Sequence, residues 1–191
     1  MSLPRGTFFP VVGPSGAGKD TLLDAVRAAL AGDPRYLFVQ RAITRPADAG
    51  GEAHRAVSAA QFAAEEAAGR FALSWRAHEL AYGIPIEVED ALAAGRHVIA
   101  NLSRAAVAEA AARYERLCVL HITAPPEVLR TRLAARGRED SEMQAARVAR
   151  SAALPEGVAV VEIVNDDTVE AGVKRLLEVL QAGADSPVIP A

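Results

Sequence analysis

Short apolar runs alternate along the chain with segments in which apolar residues recur every three or four positions. Continuous apolar runs are typical of parallel strands, which are buried on both faces. They predict strands at 7–12, 36–43, 71–75, 98–101, 117–123 and 158–164. Helical spacing with capping or stop residues predicts helices at 19–31, 58–69, 86–94, 105–114, 126–137, 140–153 and 168–180. The alternation indicates an α/β fold with a mainly parallel, five-stranded sheet flanked by helices.

Turn chemistry separates these elements. Residues 44–56 are rich in turn formers, and the Tyr-Gly-Ile-Pro sequence at 82–85 predicts a turn leading into a helix. Ser58 with Gln61 predicts a capping box, and Asp167 with Glu170 resembles a second capping pair. No repeat or linker divides the chain, so we expect one domain over residues 1–191 with a flexible tail at 184–191.

Composition narrows the class of protein. The 191 residues suffice for one α/β domain, and no run of 18 apolar residues predicts a membrane span. Cys118 is the single cysteine, so no internal disulfide forms, and a reducing cytoplasmic setting fits. The net charge of −3 argues against a large nucleic-acid surface, and nothing opposes a homodimer. Only Lys19 and Lys174 among the 21 basic residues are lysines.

A glycine-rich segment between the first strand and the first helix carries the clearest chemical signal. Residues 13–19 read Gly-Pro-Ser-Gly-Ala-Gly-Lys and match the phosphate-loop pattern G-x-x-x-x-G-K. Such a loop turns backbone N–H groups toward phosphate oxygens, and the lysine reaches the β- and γ-phosphates of ATP. The alternative is an ordinary glycine-rich turn. We expect ATP to contact Gly13, Pro14, Ser15, Gly16, Ala17, Gly18, Lys19, Asp20 and Thr21.

Asp20 departs from the phosphate-loop pattern. The Ser or Thr that normally follows the lysine and meets Mg²⁺ is Asp20 here, and Thr21 comes next. A carboxylate beside a triphosphate is repelled unless a cation lies between them. Asp20 is therefore a candidate Mg²⁺ ligand, direct or through water. The alternative is an acidic residue that stabilises the helix dipole in the first turn.

Basic and aromatic residues after the second strand suggest a binding site for a phosphorylated acceptor. Arg41 and Arg45 lie four positions apart in a non-helical segment and can converge on one phosphate, although such a pair is often only a solvated surface. Taken singly, Trp75 and Tyr82 are more typical of packing residues, and His97 and His121 of structural ones. The candidate acceptor residues are Arg41, Arg45, His54, Arg55, Arg76, His78, Tyr82 and Arg104.

The order of these motifs resembles guanylate kinase, a P-loop NTPase fold, over nearly the whole chain. The shared segments are 13–19, 44–46 (Thr-Arg-Pro), 78–83, an arginine-rich region and 164–167 (Val-Asn-Asp-Asp). The residues that read guanine in that family are replaced: Leu73 stands for a Glu, His54 for a Tyr, and Asn101 and Ser103 for an acidic pair. Because leucine cannot accept hydrogen bonds from guanine, we do not expect GMP as the acceptor.

A closer resemblance is to the ribose 1,5-bisphosphate phosphokinases of phosphonate breakdown. It covers about residues 7 to 180 and rests on a combination of segments: 18–20, 44–47, 51–54, 75–78, 82–85 and 101–104. The resemblance implies phosphoryl transfer from ATP to ribose 1,5-bisphosphate, giving 5-phosphoribosyl 1-diphosphate. A phosphate acceptor has its second pKa near 6 and needs no general base at neutral pH, only charge neutralisation. The basic candidate residues named above would supply it.

The resemblance also implies an acceptor-binding insertion at about 44–97 and a lid at about 130–150. In nucleoside-monophosphate kinases the lid carries arginines that close over the transferring phosphoryl group. Arg136 and Arg147 are our candidates and, with Lys19, form the expected catalytic set, while Asn165 lies where the family holds adenine. A solvated charged face is the alternative for this segment. Two other functions stay open: a kinase of GMP or a related monophosphate, and a non-catalytic binding module.

Overall fold

The computed structural model describes residues 5–49, 52–135 and 153–185. Its strands are β1 Phe8–Val12, β2 Tyr36–Phe38, β3 Ala42–Ile43, β4 Arg55–Ala56, β5 Phe71–Ala77, β6 Leu80–Pro85, β7 His97–Asn101, β8 Cys118–Thr123 and β9 Ala159–Val164. The helices in these ranges are α1 Lys19–Ala29, α2 Ala59–Ala67, α3 Val88–Ala93, α4 Arg104–Arg113, α5 Pro126–Ala135 and α6 Val169–Asp185.

Five strands form a sheet in the order β2-β7-β1-β8-β9, and every pairing within it is parallel. β1 lies at its centre and all five of its residues are buried. Such burial follows from helices on both faces, which is why the strand reads as a continuous apolar run. The predicted five-stranded parallel sheet flanked by helices is confirmed.

Two apolar clusters cover the faces of this sheet. On one face, Leu22 of α1 and Leu176 of α6 pack with Phe9 and Val11. On the other face, side chains of α3 and α4 pack against the alternate residues of β1 and β7, such as Phe8 and Val98. The helices that follow β1 and β7 are thereby fixed to the sheet, so the loops at the carboxyl ends of these strands have defined positions.

A second sheet, ordered β4-β3-β6-β5, lies in the expected acceptor-binding insertion. It corrects two predictions. The predicted strand 36–43 splits into β2 and β3, which belong to different sheets, and residues 82–85 are not a turn but part of β6, antiparallel to β5. Gly83 is needed for close approach, since a Cβ there would lie 2.6 Å from the Phe71 ring. Gly83 is thus a strand glycine that allows close packing, and its interpretation as a turn residue is wrong.

The helix ends partly follow the predictions. Ser58 and Gln61 form the expected reciprocal capping box. At the last helix the expected Asp167 cap is wrong, because the Thr168 hydroxyl accepts the hydrogen bond from the Ala171 backbone N–H. α6 extends to Asp185, so the remainder of the expected tail, together with the Gly137 helix stop and all but the last residue of the predicted helix 140–153, lies outside the described residues. Over the described ranges, no helix combines the length and apolarity that a membrane crossing requires.

The tight turn between β5 and β6 gives a stability prediction. His78 and Glu79 have φ of 51° and 61°, a backbone region that costs residues with a Cβ about 1–2 kcal/mol each. We expect Glu79→Gly to raise the free energy of unfolding in urea by about 0.5–1 kcal/mol. The matched control is Glu156→Gly in another exposed turn where φ is not positive, and it should lower stability. Equal effects of the two substitutions would contradict this explanation.

Candidate active site

The glycine-rich loop connects β1 to α1 at the carboxyl edge of the central sheet. Gly16 and Gly18 have φ of 86° and 84°, which lets the backbone curl. A Cβ on Gly13 would lie 1.9 Å from the Ile122 carbonyl oxygen, so the loop passes directly against β8. No side chain caps the start of α1. The first N–H groups of this helix are therefore available to an anion.

Lys19 lies inside the curl of this loop. Its Nζ donates to the carbonyl oxygens of Gly13 at 2.9 Å and Pro14 at 3.0 Å. Burial lowers the pKa of the ammonium group, opposed by Asp20 and Glu52 and reinforced by Arg41 and Arg104. The two sides of the expected site are joined by Asn101, whose amide contacts both Asp20 and Glu52.

Asn165 follows β9 and stabilises the glycine-rich loop through a side-chain hydrogen bond. Its Nδ2 donates to the Ala17 carbonyl oxygen at 2.7 Å, and its backbone N–H donates to Thr123 at 2.7 Å. Arg132 of α5 donates to the Asn165 carbonyl oxygen at 3.2 Å. The sequence suggested an adenine contact for Asn165, whereas its side-chain donor is used by the loop. Arg132 lay in the arginine-rich run but was not singled out.

Asp20 and Glu52 share one amide group. Nδ2 of Asn101, at the end of β7, donates to Asp20 Oδ1 at 3.1 Å and to Glu52 Oε2 at 2.8 Å. The Oδ1 of Asn101 is buried without a hydrogen-bond partner among the described residues. Glu52 was missing from the expected site residues. In the sequence, Glu52 is marked only by its place in the segment 51–54. Its contact with Asn101 spans 49 positions and is not visible in a local pattern.

Arg41 lies beside this amide, and its charge is compensated. Its Nε donates to Glu52 Oε1 at 2.8 Å, and its Nη2 contacts the same oxygen. The guanidinium also lies over the rings of Trp75 and Tyr82, 5.6 and 5.0 Å from their centroids. The two rings stack with centroids 5.4 Å apart. Trp75 and Tyr82 thus form a wall that fixes the orientation of Arg41.

Arg45 has an imidazole partner instead of a carboxylate. Its Nη2 lies 3.1 Å from His54 Nδ1 and 3.5 Å from the Glu52 carbonyl oxygen. The other ring nitrogen of His54 lies 3.1 Å from the Arg45 carbonyl oxygen. His54 Nδ1 also lies 3.0 Å from the Glu52 carbonyl oxygen, so this nitrogen faces both a donor and an acceptor, and the contacts are compatible with either ring tautomer. Nε of Arg45 is buried without a partner in the described part of the chain.

Arg104, the first residue of α4, repeats this arrangement. Its Nη2 lies 2.7 Å from Nε2 of His121 in β8, and burial lowers the pKa of the guanidinium. Asn101, Arg104 and the loop therefore meet at the carboxyl ends of adjacent strands β7, β1 and β8. This edge is where open α/β sheets bind ligands.

The remaining candidates lie away from this cluster. Arg55 pairs with Glu65, and Arg76 with Glu66, at exposed positions. His78 is exposed at the β5–β6 turn, and the Thr21 side chain points outward on α1. Arg136 and Arg147 lie outside the described residues. His97 is buried and its Nδ1 accepts the Thr7 N–H, which fits a structural role.

Comparison with known proteins places the chain beside a family model and two curated relatives. The family model described as an AAA domain matches residues 10–153. The bifunctional ribose 1,5-bisphosphokinase-thymidine phosphorylase of Azorhizobium caulinodans is 53% identical over 93% of this chain, which spans 26% of that protein's length. The ribose 1,5-bisphosphate phosphokinase PhnN of Brucella melitensis biotype 2 is 48% identical over 91% of both chains.

Among solved structures, guanylate kinase from Anaplasma phagocytophilum superimposes with a TM-score of 0.72. The match covers 97% of this chain and 90% of the other at 19% identity. At this identity the likeness concerns the fold alone. The guanylate-kinase-like fold that the motif order implied is confirmed.

Proposed function

Because the chain belongs to the family of ribose 1,5-bisphosphate phosphokinases, we propose that it phosphorylates ribose 1,5-bisphosphate with ATP. An oxygen of the acceptor's 1-phosphate attacks the γ-phosphorus, and the bond to the β–γ bridging oxygen breaks. The products are 5-phosphoribosyl 1-diphosphate and ADP, and no proton is transferred because the attacking phosphate is largely dianionic at neutral pH. The reaction therefore needs positioning and charge neutralisation instead of a general base.

The carrying observation is the chemistry of the acceptor side. Leu73, where guanylate kinases have a carboxylate, is 1% exposed and belongs to the apolar cluster that includes residues of β1 and α3. The leucine side chain has no hydrogen-bond acceptor for a guanine base. Arg45 and Arg104, by contrast, each contact a histidine ring and carry further N–H donors. A sugar with two phosphates matches such donors better than a nucleotide base does.

Each residue that lies at the carboxyl edge of the sheet has a proposed role in this reaction. The loop N–H groups and Lys19 bind the ATP phosphates, and Lys19 neutralises charge on the transferring group. Arg45 and Arg104 hold acceptor phosphates, while Arg41 is fixed by Glu52 and the aromatic wall. We keep Arg136 and Arg147 as lid residues that exclude water, and His78, Arg55 and Tyr82 as outer contacts of the acceptor site.

Asp20 and Glu52 supply a donor set that suits Mg²⁺. Both are carboxylates, they face the same Asn101 amide, and hard oxygen ligands are those that Mg²⁺ prefers. Bound Mg²⁺ would neutralise the phosphate oxygens of ATP. We propose that Asp20 orients the ion's coordination sphere, and that the reaction takes place in the cytoplasm as a step of phosphonate breakdown.

We expect Asp20→Asn to raise the Mg²⁺ concentration at half-maximal rate by about tenfold, because one anionic ligand group is lost. The measurement is the initial rate against free Mg²⁺ at fixed ATP. Asp24→Asn is the matched control, since this carboxylate is one turn further along α1 and exposed beside Arg27. An unchanged Mg²⁺ dependence in Asp20→Asn would remove Asp20 from the metal site.

Product analysis tests the proposed function. With ATP carrying labelled phosphorus at the γ-position, the label should appear in the β-phosphate of 5-phosphoribosyl 1-diphosphate. Label found only in inorganic phosphate would show hydrolysis of ATP without transfer, and the proposal would fail.

A further inference from the structure

Three side chains form a chain of contacts across the carboxyl edge of the sheet. Arg104 Nη2 lies 2.7 Å from His121 Nε2, and His121 Nδ1 lies 3.4 Å from Glu162 Oε2. β8 and β9 pair in a register that sets His121 directly beside Glu162. The sequence suggested only a structural role for His121.

The protonation state of His121 follows from its two neighbours. A guanidinium has no acceptor, so the Nε2 that faces Arg104 must present its lone pair. The single proton of the neutral ring is then on Nδ1, the nitrogen that lies 3.4 Å from Glu162 Oε2. Burial lowers the pKa of His121 and the charge of Arg104 lowers it further, while Glu162 opposes both; the net lowering favours the neutral ring.

An imidazole partner orients an arginine without cancelling its charge. Arg41 shows the contrast, because the Glu52 carboxylate both orients and neutralises it. Within the described ranges, no carboxylate forms an ion pair with Arg104. His121 pairs with Val12, the last residue before the phosphate loop, so the Arg104–His121 contact lies at the phosphate-binding end of the site. The charge of Arg104 also lowers the pKa of Lys19.

We propose that His121, in the Nδ1–H tautomer that its contacts with Arg104 and Glu162 favour together, is the positioning residue that holds Arg104 toward an acceptor phosphate with its full charge. Arg45 also contacts an imidazole, that of His54, whose Nδ1 additionally faces the Glu52 carbonyl oxygen. The proposal rests on the proposed function, since it assigns Arg104 to the bisphosphate acceptor.

Paired substitutions of His121 separate positioning from packing. His121→Gln keeps an oxygen that can accept from Arg104, whereas His121→Leu has a similar size and no acceptor. We expect the leucine variant to raise the KM for ribose 1,5-bisphosphate by about tenfold or more, with the KM for ATP changed by less than about threefold. The glutamine variant should stay within about threefold of wild type in both values.

The tautomer is measured independently of activity. Long-range ¹H–¹⁵N correlation of the folded protein at pH 7.5 should show the proton of His121 on Nδ1, and the signals of this ring are those that vanish in His121→Gln. Only four histidines contribute signals, so the comparison assigns the ring. In Glu162→Leu the ring should lose its single tautomer and show averaged shifts.

The outcomes are distinguishable. Equal losses in the glutamine and leucine variants would mean that His121 only packs, and an unchanged KM in His121→Leu would mean that Arg104 does not depend on it. A proton on Nε2 would also overturn the proposal. If wild-type protein releases no ADP with ribose 1,5-bisphosphate, the proposed function fails and the acceptor role of Arg104 fails with it. The ¹⁵N shifts would then still report the Arg104–His121–Glu162 geometry.

Discussion

Replacing Lys19 by alanine is expected to lower kcat by about a thousandfold or more while the fold is kept. The ammonium group lies in the curl of the loop, held by the carbonyl oxygens of Gly13 and Pro14. It is therefore already placed where the β- and γ-phosphates would lie. Removing one preorganised donor at developing negative charge commonly costs two to three orders of magnitude, and here a full charge is also lost (~10³-fold).

Lys174→Ala is the matched control, because it is the other lysine of the chain and its side chain is 79% exposed on α6. It should leave kcat and both KM values unchanged. Steady-state kinetics and far-ultraviolet circular dichroism of the two variants provide the measurement. A Lys19→Ala enzyme with more than about a tenth of wild-type kcat would contradict the placement of Lys19 at the transferring phosphate.

Gly13→Ala is expected to destabilise the protein by about 4 kcal/mol or more. A Cβ at this position would lie 1.9 Å from the Ile122 carbonyl oxygen, and φ is 153°. The obstacle is backbone of the central sheet, which cannot move as a flexible side chain can. Either the loop or β8 must shift, so binding of ATP should weaken together with stability.

Gly32→Ala is the control that distinguishes the steric clash at Gly13 from the cost of a positive φ. Gly32 has φ of 87°, but no atom lies within 4 Å of its would-be Cβ. Its substitution should cost only about 1–2 kcal/mol, the cost of the left-handed conformation. Urea denaturation gives both values, and equal losses of stability in the two variants would show that Gly13 acts through its φ alone.

The sequence was most informative where function depends on a continuous segment. The phosphate loop could be placed between β1 and α1 because the glycine pattern, the apolar run before it and the helical spacing after it are all local. The parallel sheet followed from the alternation of runs and helices. The same local reasoning misassigned 82–85, since Gly83 and Pro85 favour a turn until β5 is available to pair with β6.

Contacts between distant segments could not be predicted from the sequence. Glu52 joins Asn101 across 49 positions, and Arg104 reaches His121 through the neighbouring strand ends, so strand order had to be known first. The partners also change what an arginine does. Arg41 and Arg45 looked equivalent in sequence, yet one is neutralised by a carboxylate and the other is held by an imidazole.

The most direct test of the central claim is the rate of ADP release with two acceptors offered separately. At saturating ATP and Mg²⁺, kcat/KM for ribose 1,5-bisphosphate should exceed that for GMP by about a thousandfold or more, because no buried carboxylate is present at Leu73 to bind guanine. Faster ADP release with GMP than with ribose 1,5-bisphosphate would contradict the account. So would the absence of ADP release with both acceptors.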